Sequence, residues 1–227
     1  MSRILIVGAS SGIGSAIARQ LLDEGNEVVA VSRENKNDLP GFIQGDVTGE
    51  DALPDIEGPL DGLVYCPGSI NLKPFRMLKD SDFEKDMEVN FFGLVRTVRK
   101  YLPLLQQSEK ASIVLFSTVA VQKGMPFHAS IAAAKGAVEG FGRSLAAELA
   151  PKIRVNVMAP SLTDTPLAAR LLDSESKQEA ARERHPLKVY GNPEDAASLA
   201  VWLLGAQSVF MSGQVLGWDG GISSLKM

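Results

Sequence analysis

The chain has a single cysteine, Cys66, and two histidines among its 227 residues. One cysteine excludes an internal disulfide and any multi-cysteine metal site. Cys66 lies in an apolar run, which predicts a buried, unreactive thiol. Basic runs are missing as well. No stretch of Lys or Arg exceeds two residues, and the formal net charge is −4. A nucleic-acid interface needs a basic face, so that class of function is set aside. Long apolar runs are also lacking. The opening MSRILIVGAS is apolar for only a few residues and then turns glycine-rich, too short for a membrane span or a secretory signal. A cytoplasmic protein without a membrane partner is expected. No repeat, low-complexity segment or linker interrupts the chain. With 45% apolar and 22% charged residues, the composition fits one globular α/β domain over 1–227.

Two periodicities alternate along the chain. Short β-branched runs at 4–9, 27–33, 62–68, 112–118, 154–160 and 214–221 read as buried parallel strands, with a weaker one at 42–47. Helical patterns separate them. Ile13 to Glu24 carries an apolar stripe and ends at Gly25, a helix-stop residue. Asp82 to Leu105 reads as one long helix, with Phe83, Met87, Phe91, Leu94, Val98 and Leu102 on one side. Ser130 to Leu149 is rich in small residues. Pro193 to Leu204 opens on a first-turn proline with Glu194 and Asp195 beside it. The eight residues from Glu34 to Gly41 are too few for a crossover helix and predict a loop or a helical turn. The alternation predicts a Rossmann-like, doubly wound parallel sheet of about seven strands, with helices on both faces. Ala168 to His185 is charged and helical in pattern and follows the sixth strand at the ligand-binding edge. It reads either as a mobile lid or as a plain surface helix.

The first strand runs into GASSGIG. Gly8 suits a tight turn, Gly12 a close approach to a pyrophosphate, and Gly14 close packing of helix on strand. The helix start at Ile13 offers free N–H groups to phosphates, and Ser10 and Ser11 add hydroxyls or cap the helix. Three glycines between a buried strand and a helix are far more specific than the glycines alone.

The spacing G-x-x-x-G-x-G, together with GDV at 45–47, MEVNFFG at 87–93, IVLFST at 113–118, AAAKGAVEGFGRSLAAELAP at 132–151, RVNVMAPSLTDTP at 154–166 and SGQVLGWDGG at 212–221, resembles the short-chain dehydrogenase/reductase family. The resemblance runs from Ile4 to Gly221. It implies a nicotinamide cofactor, hydride transfer between a carbonyl and an alcohol on a small molecule, and a homodimer or homotetramer. At the end of the second strand Ser32 stands where an NAD site wants a carboxylate for the ribose hydroxyls, and Arg33 suits a 2′-phosphate, so NADP(H) is favoured over NAD(H). Glu34 either neutralises Arg33 or turns toward the ribose. The resemblance makes Asp46 and Val47 the adenine contacts; alternatively, Asp46 caps the turn at Thr48. Where the family usually has Asn-Asn-Ala-Gly, this chain has Tyr65-Cys66-Pro67-Gly68, which keeps only Gly68 beside the cofactor.

The resemblance carries the chemical residues over one by one. Lys135 matches the family lysine, Asn90 the asparagine, and Thr118, with Ser117 beside it, the serine. The family's tyrosine, four residues before the lysine, falls on Ile131, which has no proton to give. Losing a general acid costs about 10² to 10⁴ in rate. His128, water reaching Lys135, or another tyrosine are the conceivable substitutes. The three tyrosines, Tyr65, Tyr101 and Tyr190, have unsuitable spacing, and His128 reads as part of the cleft wall. After the sixth strand, Pro160, Ser161 and Thr163 stand where the family binds the nicotinamide carboxamide. The family commonly has glycine at 161, so strain is expected at Ser161 if the turn needs a positive φ. The segment Gln122 to Phe127 hints at an apolar pocket with a polar rim. Two readings remain open: an oxidoreductase with slow or altered chemistry, and a nucleotide-binding member without turnover.

Overall fold

A computed structural model describes residues 1–49 and 52–226. Seven strands build the sheet: β1 (Arg3–Val7), β2 (Glu27–Ser32), β3 (Phe42–Gln44), β4 (Gly62–Tyr65), β5 (Ala111–Phe116), β6 (Ile153–Pro160) and β7 (Val215–Trp218). All pair in parallel, in the order β3-β2-β1-β4-β5-β6-β7. The helices are α1 (Gly12–Asp23), α2 (Asp80–Met87), α3 (Gly93–Leu105), α4 (Val119–Lys123), α5 (Ala129–Leu149), α6 (Glu175–Arg184) and α7 (Pro193–Leu204).

Alternation within each strand divides the core. Leu5 and Val7 face a layer with Leu94, Val98 and Val138, from α3 and α5. Ile4 and Ile6 face the other layer, with Ile17 of α1 and Leu203 of α7. Both faces of β1 are therefore buried, which is why its sequence reads as an unbroken apolar run rather than as alternation. The strand order reverses between β1 and β4. Ligands of open α/β sheets bind at that crevice, beyond the carboxyl ends of the strands.

Three expectations need correction. Several strands are shorter than their apolar runs, because the chain leaves the sheet where the cleft begins. β3 stops at Gln44, and the Asp46 amide turns to the Ala52 carbonyl. The long helix is interrupted by a π-helical turn at Glu88–Phe92. The Tyr65 hydroxyl donates to the Val89 carbonyl at 2.6 Å, and a side chain at Gly93 would collide with that hydroxyl. A wide turn of this kind is common at functional sites, and Asn90 sits in it. The loop after β5 holds the short helix α4, which the sequence pattern did not reveal. The segment from Glu34 to Gly41 is indeed a loop, and the charged segment after β6 contains a 3₁₀ turn (Pro166–Leu171) followed by α6. No helix among the described residues is long and apolar enough to cross a membrane, and among them no cluster of His, Cys, Asp and Glu is suited to a metal.

Candidate active site

A cleft of about 1000 Å3 opens along the carboxyl ends of the strands. That is large for a single small molecule. Its walls include all the predicted cofactor residues: Gly8, Ser10, Ser11, Gly12, Ile13 and Gly14 from the first turn, Ser32 and Arg33 after β2, Asp46 and Val47 after β3, Gly68 after β4, and Pro160, Ser161 and Thr163 after β6. Thr118, Ile131 and Lys135 line the same space.

The glycine turn is shaped as a cradle. Gly8 has a φ of +87°, a conformation that costs a side-chain-bearing residue about 1 kcal/mol or more. A Cβ on Gly14 would collide with the Gly8 carbonyl oxygen. Backbone, not a flexible side chain, is in the way, so Gly14→Ala should destabilise the fold by about 3 kcal/mol. Urea unfolding of the variant measures this, and an unchanged midpoint would contradict it. Ser11 occupies the N-cap position of α1, but its hydroxyl makes no capping bond. The capping role proposed for it is thus not observed, and its hydroxyl is left to a ligand. Asn37, unnoticed in the sequence, donates to the Ser10 carbonyl at 2.9 Å and to the Ser15 hydroxyl at 2.8 Å. It ties the loop after β2 to this turn. Thr165 closes the turn from the other side, its methyl group packed over Gly12.

At the end of β2 the Ser32 hydroxyl donates to the Glu34 carbonyl at 3.0 Å. Glu34 pairs with Lys36 at 3.3 Å, and Arg33 has no ion-pair partner among the described residues. Asp46 does cap its turn, accepting 2.9 Å bonds from the Thr48 amide and hydroxyl on Oδ1. Burial opposes ionisation of this carboxyl, but the Thr48 bonds and the Arg33 charge outweigh it and hold the carboxyl below its usual range. Among the described residues none donates to its second oxygen, and Asp46 lines the cleft.

At the chemical end Lys135 is 7% exposed. Its Nζ donates to the Phe116 carbonyl at 2.9 Å. Burial pushes this amine down to about 8, while Cys66 and Asp86 pull in the opposite direction. Asn90 and Lys135 converge on Gly68: a Cβ there would lie 3.3 Å from Asn90 Oδ1 and 3.6 Å from Lys135 Nζ. The Asn90 amide donates to the Asp86 carbonyl and to the Ser69 hydroxyl, both at 2.8 Å. Ser69 in turn donates to the Asp86 carboxylate at 2.6 Å. This buried Asp86–Ser69 link is invisible in the sequence, because it joins α2 to the loop after β4.

Thr118 caps α4, accepting from the Ala120 amide at 3.3 Å, so its own proton is free to donate into the cleft. Ser117 instead spends its hydroxyl on Glu139 at 2.8 Å. Ile131 is 5% exposed, one helical turn before Lys135 on the same face of α5. None of the three tyrosines lines the cleft. Tyr65 is committed to Val89, Tyr101 to the Pro54 carbonyl, and Tyr190 lies under the Arg182 guanidinium. His128 is half-buried in the cleft wall, with Nδ1 2.7 Å from the Pro126 carbonyl. Burial pushes the Cys66 thiol up to about 12, in keeping with an inert role.

Ser161 does not adopt a positive φ, so the expected strain is absent. It lies 2.7 Å from Nε2 of His185, a buried residue that the sequence analysis did not single out. Thr163 donates to the Ser161 carbonyl at 3.0 Å. Its proton is therefore engaged within the loop, and its oxygen is what it offers a ligand. Among the described residues, the charged groups lining the cleft are Arg33, Lys135, Arg170, Lys177 and Arg184 against the carboxylate of Asp46. A chain of net charge −4 thus concentrates cations where a polyanionic dinucleotide would lie.

Comparison with known proteins agrees with this geometry. A family model described as enoyl-(acyl carrier protein) reductase matches residues 8–223. A 3-oxoacyl-[acyl-carrier-protein] reductase, FabG, of Thermotoga maritima is 32% identical, covering 96% of either chain. The ligand-free aldohexose dehydrogenase of Thermoplasma acidophilum superposes with a TM-score of 0.90 at 27% identity, over 100% of this chain and 96% of that one. ElxO with NADP bound superposes equally well at 27% identity, over 99% of this chain and 100% of that one. A match that spans nearly every element, glycine turn and lysine helix included, means that the chain belongs to the short-chain dehydrogenase/reductase family of oxidoreductases.

Proposed function

We propose that the chain is an NADP(H)-dependent reductase of small carbonyl compounds, folded as one dinucleotide-binding domain and working without the family's tyrosine. The observation that carries this reading is the convergence of Lys135 and the fully buried Asn90 on Gly68, where Gly68 and Lys135 line one cleft with Thr118 and the glycine turn. The residues fit the cofactor. The cradle at Gly8 to Gly14 and the start of α1 suit the diphosphate, Arg33 suits a 2′-phosphate, and Asp46 suits the adenine amine. When bound, the nicotinamide supplies a hydride to the carbonyl carbon. Lys135 Nζ holds the adjoining ribose, and Thr118 Oγ1–H polarises the carbonyl oxygen. Pro160, Ser161 and Thr163 line the carboxamide end. A second copy of the chain is the expected partner. Phe210 is fully exposed beside Val209, which is 66% exposed, and such neighbouring exposed apolar groups suit pairing.

The test has two steps. NADPH at millimolar concentration should raise the melting temperature by mass action; no shift with either NADPH or NADH sinks the proposal. NADPH oxidation is then followed with an acetoacetyl thioester and with simple aldehydes, and NADP reduction with aldohexoses. Measurable wild-type turnover is expected. Ile131→Tyr, which returns a phenol one turn before Lys135, should raise kcat by about tenfold or more. The second reading, a binder without turnover, rests on the apolar side chain at Ile131. It prevails if only the tyrosine variant reacts.

A further inference from the structure

We propose that Ser161 and His185 form a proton relay that serves the substrate oxygen in place of a phenol. The inference rests on carbonyl reduction as the reaction of this cleft. Its physical basis is a pair of bonds at either end of one imidazole. Ser161 Oγ is 2.7 Å from His185 Nε2, and His185 Nδ1 is 2.7 Å from the Ala181 carbonyl oxygen. A carbonyl only accepts, so Nδ1 carries a hydrogen in every protonation state of the ring. In the neutral ring Nε2 must accept, and the single hydroxyl proton of Ser161 points at it. In the imidazolium Nε2 donates, and the Ser161 proton is released toward the cleft. Protonating His185 thus turns Ser161 into a donor for the cleft that both residues line together with Thr118 and Lys135.

The surroundings favour this path over the alternatives. His185 is 3% exposed, and Ser161 is its hydrogen-bonded neighbour on the cleft side. The ring packs against Gly220, whose added Cβ would lie 3.4 Å from Cδ2. Charged groups on the elements around it are engaged elsewhere. Arg182 pairs with Glu179, Lys188 with Glu183, and Asp219 accepts from the Gly221 amide and from Ser223. Arg184 donates to the Ala180 carbonyl. None of these side chains bonds to the imidazole. Tyr65 and Tyr101 are bonded to the Val89 and Pro54 carbonyls, Tyr190 lies against Arg182, and none of the three lines the cleft, while Nδ1 of His128 is held by the Pro126 carbonyl.

The step balances. With a bound reduced nicotinamide supplying the hydride and its electron pair to the carbonyl carbon, the C=O π bond would break toward oxygen. That oxygen takes the proton of Ser161 Oγ. Ser161 takes the proton of His185 Nε2, leaving a neutral imidazole that solvent reprotonates.

Two measurements test the relay. The chain has only two histidines, so 15N NMR with His128→Gln resolves both rings without any cofactor. His185 should show a hydrogen-bonded Nε2 whose resonance and titration change in Ser161→Ala. Unchanged His185 signals in that variant overturn the relay, whatever the kinetics. In NADPH-dependent reduction of the acetoacetyl thioester at saturating NADPH, Ser161→Ala and His185→Gln should each lower kcat about 10²-fold. Full turnover in Ser161→Ala or in His185→Gln overturns the relay while leaving the reductase reading intact. Failure of NADPH to bind overturns the reductase reading itself, and the relay with it.

Discussion

Lys135→Met should make the protein more stable at pH 7 while removing its turnover. The amine is buried, and burial pushes it from 10.5 down to about 8. Below pH 8 the folded protein therefore carries an ammonium where a neutral amine is preferred. The unfolded chain holds a proton on this lysine up to about 10.5, so unfolding takes up a proton between pH 8 and 10.5. Stability from this group accordingly rises with pH across that window, and the penalty is fully present below it. Its size is at most about 3 kcal/mol. Methionine removes the penalty but leaves the Phe116 carbonyl without its donor, which costs about 1 kcal/mol. Asp86 keeps Ser69 and Asn71 as donors, so its carboxylate is not stranded. The expected gain is about 2 kcal/mol, a melting temperature a few degrees higher, shrinking as pH approaches 10.5. Calorimetry at pH 7 and pH 10 checks it. The same variant should lose NADPH affinity and at least about 10² in kcat. A lower melting temperature at pH 7 would mean that the amine is paired and content in its site.

Arg33→Ala should weaken NADPH binding by about 10² while leaving NADH nearly untouched. Arg33 lines the cleft, and Glu34, its neighbour in sequence, is paired with Lys36. A forked guanidinium on a dianionic 2′-phosphate makes charge-assisted bonds worth about 1.5–3 kcal/mol each. NADH has a hydroxyl there and loses only a weak contact. Adding Ser32→Asp should complete the switch, because a carboxylate repels the phosphate and accepts from the ribose hydroxyls. Competitive titration of the two coenzymes measures the ratio. Equal wild-type affinity for both would place the phosphate discrimination elsewhere or show that there is none.

Much of this protein was legible in its residues alone. Buried parallel strands leave unbroken β-branched runs, and Gly25 and Pro193 punctuate the helices between them, so the order of elements could be read without coordinates. The glycine turn was legible because its demands, a positive φ and room for a helix to press close, can be met only by glycine. Lys135 and Ile131 were legible through the family resemblance, and their shared face because four residues make about one helical turn. What the tertiary structure decided involves partners far apart in the chain. Tyr65 wedges a wide turn into a helix whose apolar stripe continues unbroken past it, so the pattern showed no interruption. Asp86 reaches Ser69 across two elements. Ser161 meets His185 only because the segment after β6 folds back over the sheet and brings residues 24 positions apart to 2.7 Å. Periodicity records which face a side chain takes, but a hydrogen bond needs a distance and a direction, and those exist only once the layers have packed.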